Sequence, residues 1–251
     1  MISKMRMKNF KIWEDTGDIV FSPVTLLLGT NSSGKSSIIQ SLLLLKQTVR
    51  SADRLIHLNL GGDDLNDIFN FGTFKDILYK YAAERQFEIA FDFSGKKKEM
   101  QVVTFHSVYR QDSRGGVVQD ELELHAMGQK YRFIRREHDA YSFLLGDATQ
   151  PYDKGRYWAP ERSIGFSAEA LSHAGEYSSV LQDISLAIQK EMTTLYYLGP
   201  IRRKPERDYQ WNKTTPGEMG FDGHKSVDIL LASDSSKKRG NGPGILESVS
   251  K

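Results

Sequence analysis

The 251-residue chain contains no cysteine. Disulfide scaffolds, zinc–thiolate centres and thiol nucleophiles are therefore excluded. An excess of one charge sign is also lacking: 34 Lys and Arg face 32 Asp and Glu, a net charge of +2. So even a balance exerts no global pull on nucleic acid, and any basic site must be local. No apolar run approaches the ~20 residues of a membrane-crossing helix. The opening, MISKMRMKNFKIWED, has no apolar core and does not read as a secretory leader. The expectation is a cytoplasmic protein without membrane contact. The 39% of hydrophobic residues can fill a core without covalent staples. The length suggests one large domain or two small ones.

Along the chain, Met5 and Met7 alternate, then Phe10 and Ile12 after a one-residue shift. The pattern predicts an edge strand with a turn or bulge near Lys8 and Asn9. Residues 18–21 predict a second short strand. Residues 24–28, VTLLL, follow Pro23 as a bounded, continuous apolar run, the mark of a buried strand. Residues 35–50 are rich in Leu and free of Gly and Pro, and predict a helix. A glycine-punctuated stretch follows, with a short helix over 74–79. From 86 to 146 the texture changes to period-two alternation broken by short turns, which predicts an antiparallel meander. Residues 167–192 predict a helix that Gly175 interrupts. LYYLG at 195–199 predicts a short buried strand, 224–233 a helix, and 234–244 a linker. These readings divide the chain into a first lobe (1–85), a meander of the same head (86–150) and a loop, helical segment and return strand (151–251).

The stretch from Gly29 to Ser36, GTNSSGKS, fits G-x-x-x-x-G-K-[ST]. The spacing has a mechanical reason. Two glycines let the backbone curl so that successive N–H groups face one anion. A helix begun at the loop's end presents its positive pole to the same anion. Lys35 then reaches the β- and γ-phosphates as the catalytic cation, and the Ser36 hydroxyl holds Mg²⁺. The competing reading is a glycine–serine turn before an ordinary helix. At average residue usage the pattern arises by chance in about one such chain in a hundred. Here it also lies between a predicted strand and a predicted helix, which is the context it requires.

MRMKNFKIW, followed some twenty residues later by LLLGTNSSGKSSIIQSLLLL, resembles the N-terminus of ABC-type ATPases of the RecF, SMC and OLD-like group. LNLGGDDLNDIFNFGTFKDIL is similar to a segment of AAA-like ATPases in that group. LYYLGPIRRKPERDYQ is similar to a branch that includes antiphage ATPases such as that of Septu. The resemblance spans residues 5–210, with the meander alike only in type. It implies an α/β P-loop NTPase of ABC/SMC-head type, with an antiparallel meander lobe and a helical segment. It implies ATP and Mg²⁺ as cofactors, bound by Gly29, Thr30, Asn31, Ser32, Ser33, Gly34, Lys35, Ser36 and Ser37. Lys11 would lie near the nucleotide, the alternative being a solvated strand-edge lysine. Implied partners are a second head, in a homodimer or higher homo-oligomer, an effector such as a nuclease, and DNA.

An ATPase of this type also needs an apolar strand ending in Asp-Glu, for the metal shell and the attacking water. It further needs a Ser-Gly-Gly signature helix. Neither is legible. In VDILLASDSS, Asp234 follows an apolar run, but Ser235 stands where Glu is required. SRGGVV at 113–118 lies inside the meander, and the six histidines form no motif. Three expectations follow: a shortened chain, favoured by the unfinished end; a second half supplied by another chain; or a protein that binds nucleotide without hydrolysing it. Alone, the chain is expected to be nearly inactive. Arg202, Arg203, Lys204 and Arg207 form a basic loop that suits a phosphate, DNA or partner contact, or a solvated loop paired to carboxylates. SGKKKE at 94–99 reads as a charged hairpin tip, and Trp13, Trp158 and Trp211 as partly buried anchors. The functions in play are an ATP-gated head in antiphage defence, a RecF-like DNA-repair head and a non-hydrolysing nucleotide-sensing scaffold.

Overall fold

A computed structural model describes residues 1–62, 67–94, 102–200, 204, 208–210, 217, 219–220 and 222–236. It divides into two compact units, 1–194 and 195–251. The first is built on one nine-stranded antiparallel sheet. In chain order the strands are β1 (Ile2–Phe10), β2 (Trp13–Asp15), β3 (Ile19–Val20), β4 (Gln86–Phe93), β5 (Val103–Gln111), β6 (Val117–Ala126), β7 (Gln129–Arg135), β8 (Tyr141–Leu145) and β9 (Asp153–Gly155). In space they run β2-β1-β4-β5-β6-β7-β8-β9, with β3 also on β1. β1 is therefore an interior strand and not the expected edge: β2 and β3 share one of its sides, and β4 takes the other. The irregularity foreseen near its end is present, as Asn9 adopts φ 54°.

Period two is visible in burial. On β4, Phe87, Ile89, Phe91 and Phe93 are buried while the residues between them are half-exposed. The register sets aromatic rings opposite one another. Phe91 pairs with Phe105 and Phe87 with Tyr109 across β4 and β5, with centroids 4.8 and 5.1 Å apart. Phe133 and Phe143 pair across β7 and β8 at 4.8 Å and 7°. Such cross-strand pairs stabilise a sheet beyond their buried area. Trp158 sits against both Phe133 and Phe143 and is fully buried, not partly so as expected. Its indole N–H donates to Asp153 at 3.2 Å, which satisfies the one polar atom that burial would otherwise strand. The other sheet face carries charge pairs, including Lys4–Asp92 at 3.0 Å and Lys8–Glu88 at 3.1 Å.

Helices cover the apolar face. α1 (Lys35–Arg50) has the predicted bounds, α2 (Phe74–Ile77) is a single turn, and α3 (Ala168–His173) precedes α4 (Ser178–Thr193). Gly175, at φ 57°, breaks the helical run between α3 and α4 as foreseen. α2 is closed by a capping box in which Asp76 accepts from the Thr73 N–H at 2.7 Å. That role absorbs the Asp76 carboxylate. α1 is buried on nearly all sides after its first turns. Its Gln47 gives both ends of its amide to the 59–69 loop. Oε1 accepts from the N–H groups of Ile68 and Phe69, and Nε2 donates to the carbonyls of Asn59 and Phe69. The described residues of this glycine-punctuated loop form no ladder of their own, and one glutamine replaces part of it.

Two expected strands are corrected. Residues 24–28 form no strand, and Val24, Leu26 and Leu28 are 80%, 78% and 87% exposed. Residues 195–199, at the start of the second unit, form none either, and Tyr196 and Leu198 are exposed. A continuous apolar run needs neighbours on both faces and at its backbone edges. Among the described residues the run 24–28 has no ladder partner. In the second unit, α5 (Ser226–Ser236) falls where a helix was expected over 224–233, and it runs on into the first three residues of the expected linker.

Candidate nucleotide-binding loop

The residues from Gly29 to Ser36 curl at the head of α1. Ser32 and Gly34 take left-handed φ values of 61° and 88°, and Gly29 lies at 150°. The Ser33 N–H donates back to the Thr30 carbonyl at 3.4 Å, closing the turn. Lys35 bends into this loop: its ammonium donates to the carbonyls of Gly29 at 2.8 Å and Thr30 at 2.5 Å, and to the Ser33 hydroxyl at 3.3 Å. The cation is thus held on the same segment that the sequence pattern assigns to phosphate.

The amides complete the picture. Gly34 is the N-cap of α1 and supplies no side-chain cap, and the first turn contains no acidic residue. The Gly34 carbonyl accepts from the Ser37 N–H at 3.0 Å and the Ile38 N–H at 3.4 Å. The N–H groups of Lys35 and Ser36 come too early in the helix to have an intrahelical acceptor. They face the loop side with the helix's positive pole behind them. Thr30, Asn31, Ser32 and Ser36 are exposed, Ser33 and Lys35 half-buried, Ser37 buried. The loop is open to solvent on the side an anion would use. The donor set fits a polyphosphate: unpartnered helix-head amides, two hydroxyls and one ammonium.

Lys11 is placed differently from the loop residues. Its ammonium donates to Gln40 of α1 at 2.7 Å and sits 5.3 Å from the centre of the Phe71 ring. Burial pulls its pKa below the usual lysine value. The residue is thus not a freely solvated strand-edge lysine; it clamps the β1–β2 turn to α1.

Two neighbours of the loop escaped the sequence reading. Trp13, on β2, donates its indole N–H to the Gly34 carbonyl at 3.2 Å. Ile12, in the turn before it, lies against the same glycine. A Cβ added to Gly34 would come within 2.5 Å of Trp13 Nε1 and 2.6 Å of Ile12 Cδ1. Their hairpin is fixed by Arg6, which forks onto Asp15 at 2.9 and 2.5 Å and brings the Asp15 pKa down to about 2. Only the pairing of β1 with β2 brings Trp13 to a loop twenty-one residues away, so spacing in sequence carried no signal for it.

Other candidates take ordinary roles or fall outside the described residues. Asp234 lies in a helix, which removes it as the end of a metal-binding strand. Gly115 and Gly116 form the turn between β5 and β6. Arg202, Arg203, Arg207, Trp211 and residues 95–99 of the charged hairpin tip lie outside the described residues. Among the described residues no group of three or more His, Asp or Glu side chains could hold a metal ion, and no helix is long and apolar enough to cross a membrane.

A family model described as AAA ATPase domain matches residues 1–195. The chain belongs to the AAA ATPase domain family. That span holds the whole sheet, the curled loop and α1 to α4. As an AAA ATPase domain the chain is an ATP-binding ATPase by family, and its mixed α/β build with a large open antiparallel sheet accords with that. No curated protein matches it.

Proposed function

We propose that this AAA ATPase domain is a nucleotide-binding head of the ABC-type, OLD/RecF/SMC-like group. In this reading the Lys35 and Ser36 amides, the Lys35 ammonium and the hydroxyls of Ser33 and Ser36 bind the triphosphate of ATP. Ser36 holds its Mg²⁺. The observation that carries the reading is the Lys35 ammonium turned inward onto the Gly29 and Thr30 carbonyls. A γ-phosphate offers this cation a fully charged acceptor in place of two carbonyl dipoles, a stronger partner. The bound cofactor would supply the phosphoanhydride bond whose cleavage resets the head.

Further support for the group comes from the exposed run at 24–28, directly ahead of the loop. Burying one Val and two Leu side chains is worth about 1.5–3 kcal/mol each. We take this run as the place where another strand adds, bringing the carboxylates that polarise water. Two such heads would close on ATP and part after hydrolysis, gating a DNA-directed effector such as a nuclease in antiphage defence. The work is assigned to the cytoplasm. A second reading is a scaffold that binds nucleotide and turns it over slowly or never; its support is that Ser235 stands where an Asp-Glu pair would need Glu.

Titration with a fluorescent ATP analogue and Mg²⁺ tests the binding. Charge-assisted contacts are worth about 1.5–3 kcal/mol, so Lys35→Ala should weaken binding by tenfold or more. Turnover by residues 1–251 should be negligible. Equal affinity in the variant removes the site, and brisk turnover removes the claim that the hydrolytic carboxylates come from elsewhere.

A further inference from the structure

We infer that Trp13 is a positioning residue for the phosphate loop, and that its indole N–H aims one of the loop's anion-binding amides. The inference rests on the polyphosphate reading of that loop. The argument begins with the peptide between Gly34 and Lys35. It is planar and trans, so its carbonyl and its N–H point in opposite directions. Whatever fixes the Gly34 carbonyl therefore fixes the direction of the Lys35 N–H.

The carbonyl is held from the helix side by the Ser37 and Ile38 amides, and from the sheet side by Trp13 Nε1 at 3.2 Å. Helical amides alone leave a terminal peptide free to rock, because helix ends fray. The indole comes from a different element, whose position is set by the Phe10–Trp13 and Lys8–Asp15 pairings and by the Arg6–Asp15 fork. Gly34 also has to be glycine here: φ is 88°, and the space of a Cβ is filled by Trp13 and Ile12. With its carbonyl held on three sides, this peptide presents the Lys35 N–H to the curl of residues 29–33. Lys11 supports the same geometry a turn and a half further along α1, through Gln40. The antiparallel sheet thereby reaches the phosphate loop through one hairpin, which sets the loop's shape before any ligand arrives.

Two replacements separate the donor from the bulk. In Trp13→Phe the aromatic packing stays and the donor goes. In Trp13→His the five-membered ring and its Nε2–H overlie those of the indole, and the bulk goes. Affinities for Mg²⁺–ATPγS and for tripolyphosphate would be measured by calorimetry on the full chain, beside thermal midpoints. Trp13→Phe should bind both probes about three- to tenfold more weakly. The factor should be the same for both, since the loop and not the base is altered. Trp13→His should bind more tightly than Trp13→Phe although its midpoint falls further. Wild-type affinity in Trp13→Phe, or weaker binding by His than by Phe, overturns the inference and leaves the loop's ligand intact. Saturable binding that is absent from the unaltered protein, or unchanged by Lys35→Ala, overturns the polyphosphate reading and this inference with it.

Discussion

On β4, every second residue from Phe87 to Phe93 is buried against helices and each strand edge is paired. Three residues of similar bulk, Val24, Leu26 and Leu28, stand in solvent ahead of the phosphate loop. The two regions share composition and differ in what surrounds them. An alternating strand needs one apolar neighbour layer, and for Phe87 and Ile89 α1 and α2 provide it within the same chain. A run that is apolar on both faces needs two layers and two flanking strands. Apolar sequence records a demand for burial, and topology decides whether the chain meets it alone.

Denaturant unfolding can break that comparison. Phe143→Ala removes a fully buried ring from the stack with Phe133 and Trp158, and should cost about 3–5 kcal/mol. Leu26→Ser, in the exposed run, should change stability by less than about 0.5 kcal/mol. Comparable losses at the two positions would mean that residues 24–28 are buried after all.

A smaller effect sharpens the account of how loops are tied to the sheet. His57 accepts the Gln119 N–H at Nδ1, 3.0 Å away. Gln119 in turn donates to the Ser107 hydroxyl at 2.8 Å and the Ser163 carbonyl at 3.0 Å, and its own carbonyl accepts from Tyr141 at 2.6 Å. Burial, with Arg135 adding repulsion, holds the His57 pKa below its usual value against the opposing pull of Asp139 and Asp120. Below about pH 6.5 the unfolded chain then binds a proton that the folded chain refuses. Stability should fall as pH drops from 6.5 towards the lowered folded value, and rise with pH across the same window. His57→Asn keeps an acceptor and cannot titrate. Its urea midpoint should fall less between pH 7.5 and 5.5 than that of the unaltered protein. Equal falls would assign the acid sensitivity to other groups.

The sheet was largely legible because alternation names both the strand and its buried face. From Phe87 to Leu145 the turns and alternation located every strand, although not the bulge at Asp120 that turns Gln119 inward. α1 was legible from its Leu content and from the glycine at its head. The phosphate loop was legible because its chemistry needs fixed residue types at fixed spacing. What stayed hidden depends on non-local pairing. β1 reads like an edge, yet β4 comes to it from eighty residues away. Trp13 reads as a generic anchor until the hairpin brings it to Gly34. Residues 24–28 and 195–199 carry strand composition, but a ladder is a property of two segments.

The central claim is that the Lys35 and Ser36 amides at the head of α1, with the Lys35 ammonium beside them, bind one anion. Its most direct test follows backbone ¹⁵N–¹H resonances while tripolyphosphate is added to the protein. The largest shifts should fall on Lys35 and Ser36, with Ser33 and the Trp13 indole N–H moving at the same midpoint and the resonances of β5 to β8 staying still. Shifts centred elsewhere, or a loop whose amides do not respond to polyphosphate, would contradict it.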